Sequence, residues 1–495
     1  MKSVWWIGLL SMGCVSSTFS ANQTPTVSPI QLSGLPYTIE LLSADTGSAV
    51  LPTLNSFAVG TEGGNWVFVA GRTNGRHDFT ADELLNFPPA NQNTDIWVYN
   101  PITKQSWSRS LNDASSGISS SVFNALSATN TQFAQQGSKL FLAGGYLYDS
   151  VTSSFRTYST LTSLDLPGVV DWVKTGTGSL AASVRQTSDP ALQVTGGELH
   201  IANGEALLVF GQNFDGPYTP GSNGIYTNQV RSFNIVETPS SLSIANVQAS
   251  ASDDAFRRRD LNVVEVVAPG GQPALVALSG VFTPSGGAWT VPVEISATGT
   301  PTMADPLAPE TFKQGMNGFA SAHVTLYSPT TQENHILLLG GISLITYNGT
   351  NFAADNNLPF TSQGSSIVRN AVGSYMQYLL GDIFPDILDS STGDPLLLGA
   401  GSEFLLSPDV PLSNGLVNMD ALAGPTLLGH VFGGIAAEQA NFGATSASNL
   451  LFEVWYTPVP EPGAIGLVVT SVLGLALTCL RHRSKIKPGW KSAGR

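Results

Sequence analysis

Cysteine is nearly absent from this 495-residue chain: there are two, Cys14 and Cys479, each inside a hydrophobic segment near one end. The stretch between them has no disulfide and no thiolate ligand for a metal, so its stability must come from burial of apolar surface. Basic side chains are scarce too. Residues 21–480 hold 14 Lys and Arg against all 35 Asp and Glu, and a surface of that sign repels phosphate backbones, which argues against a nucleic-acid partner. Charged residues of both signs make up only 11%. No His-Glu-x-x-His, P-loop, nucleophile elbow or dinucleotide fingerprint occurs. What is plentiful is glycine (51) and proline (30), a composition suited to many short strands joined by turns. The length could hold two or three domains, yet one large all-β unit of this size is also ordinary.

The organising stretch is residues 67–107. Val67-Phe68-Val69-Ala70 stops at Gly71, a polar loop follows, and then come Asp95-Ile96-Trp97-Val98-Tyr99-Asn100-Pro101, Thr103 and Trp107. This reads as a buried strand, a glycine turn, an aromatic and β-branched strand, an Asn-Pro turn and the start of a further strand. The apolar-run-then-glycine phrase recurs at residues 140–145, 207–211, 275–280, 336–341 and 430–434, each time followed by a second strand-like run, such as 162–166, 229–235, 289–295 or 451–456. The pattern resembles a kelch repeat, one four-stranded blade of a β-propeller, and the resemblance covers residues 37–457. It is patchy: Gly-Gly stands at 144–145, 340–341 and 433–434 and is reduced to one Gly elsewhere, and the last three repeats lack the Asn-Pro turn.

The expected fold class is therefore all-β, a kelch-type β-propeller of six blades. Seven is the alternative count, because Leu396-Leu397-Leu398-Gly399 repeats the phrase only 35 residues before Gly434. With six, residues 370–425 are an elaboration of the fifth or sixth blade. Tyr37-Thr38-Ile39-Glu40-Leu41-Leu42 is expected to complete the last blade and so remove exposed sheet edges. Residues 21–36 read as a leader, with 21–34 loose. Kelch-fold copper-radical oxidases resemble galactose oxidase, whose cofactor uses a cysteine joined to tyrosine; residues 22–462 contain no cysteine, so that chemistry is excluded and no cofactor is implied.

The ends carry targeting signals. Lys2, the apolar run 4–12 and small residues through Ala21 read as a secretory signal peptide over residues 1–20; lipidation at Cys14 is the rival, weakened because Ser11 stands where a lipobox has Leu. At residues 458–495, Pro460-Glu461-Pro462 precedes an unbroken apolar run, 464–480, and a basic cluster containing Arg481 and Arg483. Seventeen residues at ~1.5 Å each span ~25 Å, enough for a transmembrane helix, with the basic end cytoplasmic. This tail resembles a PEP-CTERM sorting signal. The resemblance implies an exosortase partner, export across the inner membrane, a single-pass membrane state before processing, and release to the cell surface or extracellular matrix. A plain single-pass anchor is the other reading.

Candidate ligand residues lie in two polar loops. Arg72, Asn74 and His77 leave the best-formed strand, and Tyr218 and Tyr226 belong to a loop rich in Tyr, Asn and Gly; tyrosines and amides suit sugar binding by stacking and hydrogen bonds. Trp97, Tyr99 and Trp107 read as packing, with Trp97 and Tyr99 on the strand face opposite Ile96 and Val98. Arg257-Arg258-Arg259-Asp260 reads as a solvated or salt-bridged loop. His323 and His335 are symmetric about Pro329; in a hairpin they would face one another and, with Glu333, form a weak candidate for zinc or copper, although no metal is favoured. The functional expectation is an exported, non-enzymatic propeller that binds a polysaccharide or a protein; the alternative is an extracellular glycan hydrolase or lyase.

Overall fold

The structure is a computed structural model that describes residues 26–459, apart from residues 203, 221, 223, 285 and 442. The signal-peptide segment, both cysteines, Pro460, Glu461, Pro462, the 464–480 run and Arg481 and Arg483 lie outside the described residues. No helix among the described residues is long and apolar enough to cross a membrane.

The fold is an all-β propeller. Sheets of four or more strands follow one another along the chain, and within each the strands consecutive in sequence are mostly neighbours. The first is Ala58–Glu62, Asn65–Val69, Asp95–Asn100 and Gln105–Ser110. The second is Gln132–Gln136, Lys139–Ala143, Thr160–Asp165 and Val184–Ser188, and the third Glu198–Ala202, Glu205–Val209, Val230–Glu237 and Leu242–Ala249. Asn262–Val267, Pro273–Leu278, Val293–Ser296 and Pro301–Met303 make the fourth. Ala322–Ser328, Glu333–Ile342, Phe360–Arg369 and Tyr375–Asp382 form the body of the fifth, and Leu397–Leu406, Thr426–Ala437 and Leu451–Pro458 that of the last. The fourth strand of the last sheet comes from the other end of the chain: Tyr37–Ser43 pairs antiparallel with Leu451–Pro458, Tyr37 opposite Pro458 and Ser43 opposite Phe452.

The apolar-run-then-glycine phrase is the second strand of every sheet. Its glycine has a left-handed backbone each time, with φ of 83° at Gly71, 93° at Gly145, 77° at Gly211, 91° at Gly280, 107° at Gly341 and 90° at Gly434. Only glycine adopts those values without strain. At Gly434 a Cβ would also stand 2.6 Å from the Ala400 carbonyl oxygen of the neighbouring strand.

Strand alternation sends each sheet's two faces into different cores. Ile96 and Val98 pack with Leu140 and Leu142 of the second sheet, whereas Trp97 and Tyr99 pack with Leu405, Phe432 and Leu451 of the last. Further clusters fill the junctions between the second and third, third and fourth, fourth and fifth, and fifth and last sheets. The cluster around Phe57, Phe68 and Phe432 joins the last sheet to the first, so the ring closes on itself. Each fully buried Val, Leu or Phe in these junctions is worth about 1.5–3 kcal/mol over its exposed state.

Three expectations need correction. Residues 370–425 are an elaboration only in part: Leu412–Ser413 and Leu416–Asn418 add to the fifth sheet beside Ala322–Ser328, but 375–382 is that sheet's own strand and 397–406 the first strand of the last, so Leu397-Leu398-Gly399 opens a strand that pairs with Thr426–Ala437. The leader is not loose throughout, since Ile30 and Gln31 pair parallel with Gln377 and Tyr378 at the fifth sheet's edge. The hairpin carrying His323 and His335 turns through residues 329–332, an even count that centres the pairing between positions 330 and 331. His323 therefore faces Leu338 and His335 faces Leu326, and the two imidazoles do not meet.

Candidate functional site at the axial mouth

The first strands meet at one end of the ring axis. In five sheets a left-handed residue stands just before the first strand, Ser56 (φ 51°), Asn130 (49°), Gly196 (65°), Asp260 (48°) and Ala320 (50°), and in the last sheet its equivalent, Gly401 (66°), lies inside Leu397–Leu406. Their backbones form a collar. The Asn130 N–H donates to the Ser56 carbonyl (3.3 Å), Gly196 to Asn130 (3.3 Å), Asp260 to Gly196 (2.8 Å), Gly401 to Ala320 (2.5 Å) and Ser56 to Gly401 (3.4 Å). At the junction between Asp260 and Ala320 the Asn262 side chain bridges, accepting from the Ser321 N–H (3.3 Å) and donating to the Gly318 carbonyl (2.7 Å).

Inside the collar is a recess of about 100 Å³ whose lining includes Gln132, Glu198, Asp260, His323 and Glu403. These groups come from five different sheets' entry strands or the turns before them. Burial pushes the Glu198 carboxyl up to about 7. Glu403 is raised well above the usual carboxylate range by burial and by the like charge of Glu198. Burial lowers His323, whose Nδ1 lies 3.2 Å from the Ser321 carbonyl. A neutral ring therefore donates from Nδ1 and offers Nε2 as an acceptor.

A second pocket of about 60 Å³ shares Asn130, Gly196 and Asp260 with the recess and opens onto the loop face. Here the two loops singled out by composition converge. His77 stacks on Phe87 (4.9 Å between ring centroids) and meets the Tyr218 ring edge-on at 4.8 Å. The Asn86 amide, fully buried, donates to the Tyr218 carbonyl (2.6 Å) and so ties one loop to the other. Tyr146 and Phe214 complete the aromatic wall. Arg259 Nη2 donates to the Tyr218 hydroxyl (2.9 Å), and its Nε faces Asp260 at 3.7 Å. Burial, and beside it Arg259, Arg76 and Arg72, push the His77 imidazole down to about 4, so it is neutral near pH 7.

The other sequence candidates fall elsewhere. Arg72 is buried and spends its guanidinium on the Asn74 side chain (2.9 Å) and the Pro88 carbonyl (3.0 Å), above the Phe87 ring. Asn74 also accepts from Asn55 through its carbonyl. Both brace the loop that presents His77. Tyr226 pairs with Gln212 and carries Arg257 on its ring at 3.9 Å, beside the pocket but not in its wall. The arginine run is not a solvated loop: Arg258 is fully buried against Trp289, donating to Ala255 and Ser279 carbonyls, and Arg259 is part of the pocket. His335 lies under Tyr37, whose hydroxyl is 3.2 Å from its Nδ1. Trp107 packs beneath Lys174 of the helix Leu166–Thr175, at 4.2 Å. Among the described residues no three His, Cys, Asp or Glu side chains gather to hold a metal ion.

Glu198 gives a pH-dependent signature. Its folded value, about 7, exceeds the ordinary 4.5, so the folded state holds a proton that the unfolded state releases. This contribution to stability is complete below pH 4.5 and is lost as pH rises through about 7. Glu198→Gln is therefore expected to gain melting temperature relative to the native protein between those limits. Paired thermal melts across that range check it, and a constant difference would contradict it.

No protein-family model matches the chain, and no curated protein matches it. A solved structure titled "Structure of YjhT" superposes with a TM-score of 0.43 at 12% identity, covering 81% of this chain and 96% of that one.

Proposed function

We propose that this chain is an exported, six-bladed propeller of kelch type that binds a glycan at its axial mouth without turning it over. Its route would be that of a PEP-CTERM protein: export directed by residues 1–20, a transient membrane anchor at 464–480, and processing near Pro460-Glu461-Pro462 by an exosortase-type partner. The basic Arg481 and Arg483 would hold the tail's end in the cytoplasm. The mature protein would then sit at the cell surface or in the extracellular matrix. The six-blade count is supported, among the described residues, by six sheets of four or more strands, six junction clusters and six equivalent left-handed residues.

The observation that carries the binding reading is the convergence of His77, Phe87, Phe214 and Tyr218 with Arg259 and Asp260 in one pocket. Aromatic edges beside fixed polar groups are what a sugar needs: apolar contact for its C–H face and directed partners for its hydroxyls. The pocket is too small for a whole ring, so the ring would lie across the rim with one substituent inside. A glycan-array screen of the purified protein tests this, with Tyr218→Ala as the control. The expected result is binding to at least one glycan class, lost by about tenfold or more in the variant, as for removal of a central aromatic anchor, with no product released. Undiminished binding by Tyr218→Ala would contradict the site, and turnover would contradict the non-enzymatic reading.

A further inference from the structure

The recess inside the collar gathers acidic side chains: Glu198, Asp260 and Glu403 present carboxyl groups there, and no Lys or Arg is in its lining. Gln132 also lines it, is 2% exposed, and has a side-chain oxygen with no hydrogen-bond partner, its amide being spent on the Asn130 carbonyl (2.6 Å). The neighbouring amide donors are spent as well: Asn130 Nδ2 on Asp260 (3.3 Å) and Asn262 Nδ2 on Gly318 (2.7 Å). The His323 Nδ1 serves the Ser321 carbonyl. What remains are the carboxyls of Glu198 and Glu403, the Nε2 of His323 and the Gln132 oxygen, and the last of these is buried with no donor, a costly state for a polar atom.

We propose that the recess is a binding subsite for a primary ammonium group, and that the glycan read at the adjoining pocket is an amino sugar with a free amine. This rests on the glycan reading for the sugar but on the recess alone for the ammonium. An ammonium brings three donors and one positive charge, matching the unused acceptors. The volume, about 100 Å³, accommodates that group and its carbon, since about 10–15 Å³ on this measure holds one water. The shared rim at Asn130, Gly196 and Asp260 lets one ring reach both cavities. Groups facing Glu198 and Glu403 are each other, Asp260, His200 and His323, with Arg259 beyond Asp260. Burial raises both glutamates toward their protonated forms, so binding of an ammonium beside them releases protons to solvent.

The experiment is calorimetry on the full protein with three probes: a deacetylated chito-oligosaccharide, its fully N-acetylated counterpart, and methylammonium. The deacetylated oligosaccharide is expected to bind about tenfold more tightly, the scale of one charge-assisted hydrogen bond. Glu403→Gln and Glu198→Gln are expected to bring that ratio to about one while leaving N-acetylated binding unchanged. Methylammonium should release more protons from the native protein than from either variant. Equal binding of both oligosaccharides, or a preference that survives both variants, overturns the inference and leaves the glycan reading standing. Methylammonium binding without any glycan binding keeps the ammonium subsite and removes the amino sugar. Silence with all three probes overturns both parts of the proposal.

Discussion

Leu41→Asp is expected to abolish cooperative folding. Leu41 is 1% exposed in the N-terminal strand that completes the last sheet, packed in the cluster shared with Leu337, Leu339 and Val454. An aspartate there would lose about 1.5–3 kcal/mol of burial and add an unpaired charge in an apolar junction. The damage is not local, because this strand is what joins the chain's two ends. Without it Leu451–Pro458 becomes an exposed edge and the ring opens. Leu42→Asp is the control: Leu42 is the next residue on the same strand but points outward, 42% exposed. Circular dichroism melts are expected to show a sharp transition for Leu42→Asp and none, or aggregation, for Leu41→Asp. Two variants with equal melting temperatures would contradict the closure.

Glu294→Ala is expected to cost about 3 kcal/mol or more. Arg369, whose side chain is 4% exposed, donates both Nε and Nη2 to the two Glu294 oxygens at 2.9 Å, and the Tyr375 hydroxyl donates to the same carboxylate. The group links the fourth sheet to the fifth. Glu294 holds Arg369 above the usual guanidinium range against the opposing effect of burial. Removing the carboxylate leaves a buried, uncompensated cation, the costly way to break such a pair. Glu294→Gln keeps the shape and hydrogen-bonding oxygen and is expected to lose less. Chemical denaturation of the three proteins measures the difference, and an alanine variant within about 0.5 kcal/mol of native, the range of ordinary surface substitutions, would contradict it.

The sequence exposed the parts of this fold whose signals are local. Runs such as Leu140-Phe141-Leu142-Ala143 before a glycine are second strands because both their faces are buried. The alternation of Ile96 and Val98 with Trp97 and Tyr99 correctly divides two neighbouring cores. The first strands of the first two sheets carry no such signal: Ala58–Glu62 and Gln132–Gln136 mix small and polar residues in place of an apolar run. The recess was unreadable too, since Gln132, Glu198, Asp260, His323 and Glu403 are scattered over 271 positions and meet only after ring closure. Its one sequence trace is the small or turn-forming residue just before the first strands, Ser56, Asn130, Gly196, Asp260 and Ala320, with Gly401 as its equivalent inside the last. The histidine pair failed on register: one residue in the turn decides which side chains face each other. Composition singled out the loops of His77 and Tyr218, whose rings meet in the structure, but not Arg259, which bridges Tyr218 and Asp260, because a run of three arginines reads as a solvated or salt-bridged loop until its strand ends are known.

The central claim is that one mouth, formed by loops far apart in sequence, holds the ligand. Amide hydrogen exchange of the protein with and without a glycan identified on the array tests it most directly. The account predicts coincident protection at residues 72–87, 211–218 and 257–261, with the outer groove at 156–160 and 186–188 unchanged. Protection confined to that outer groove, or in one mouth loop without the others, would contradict it.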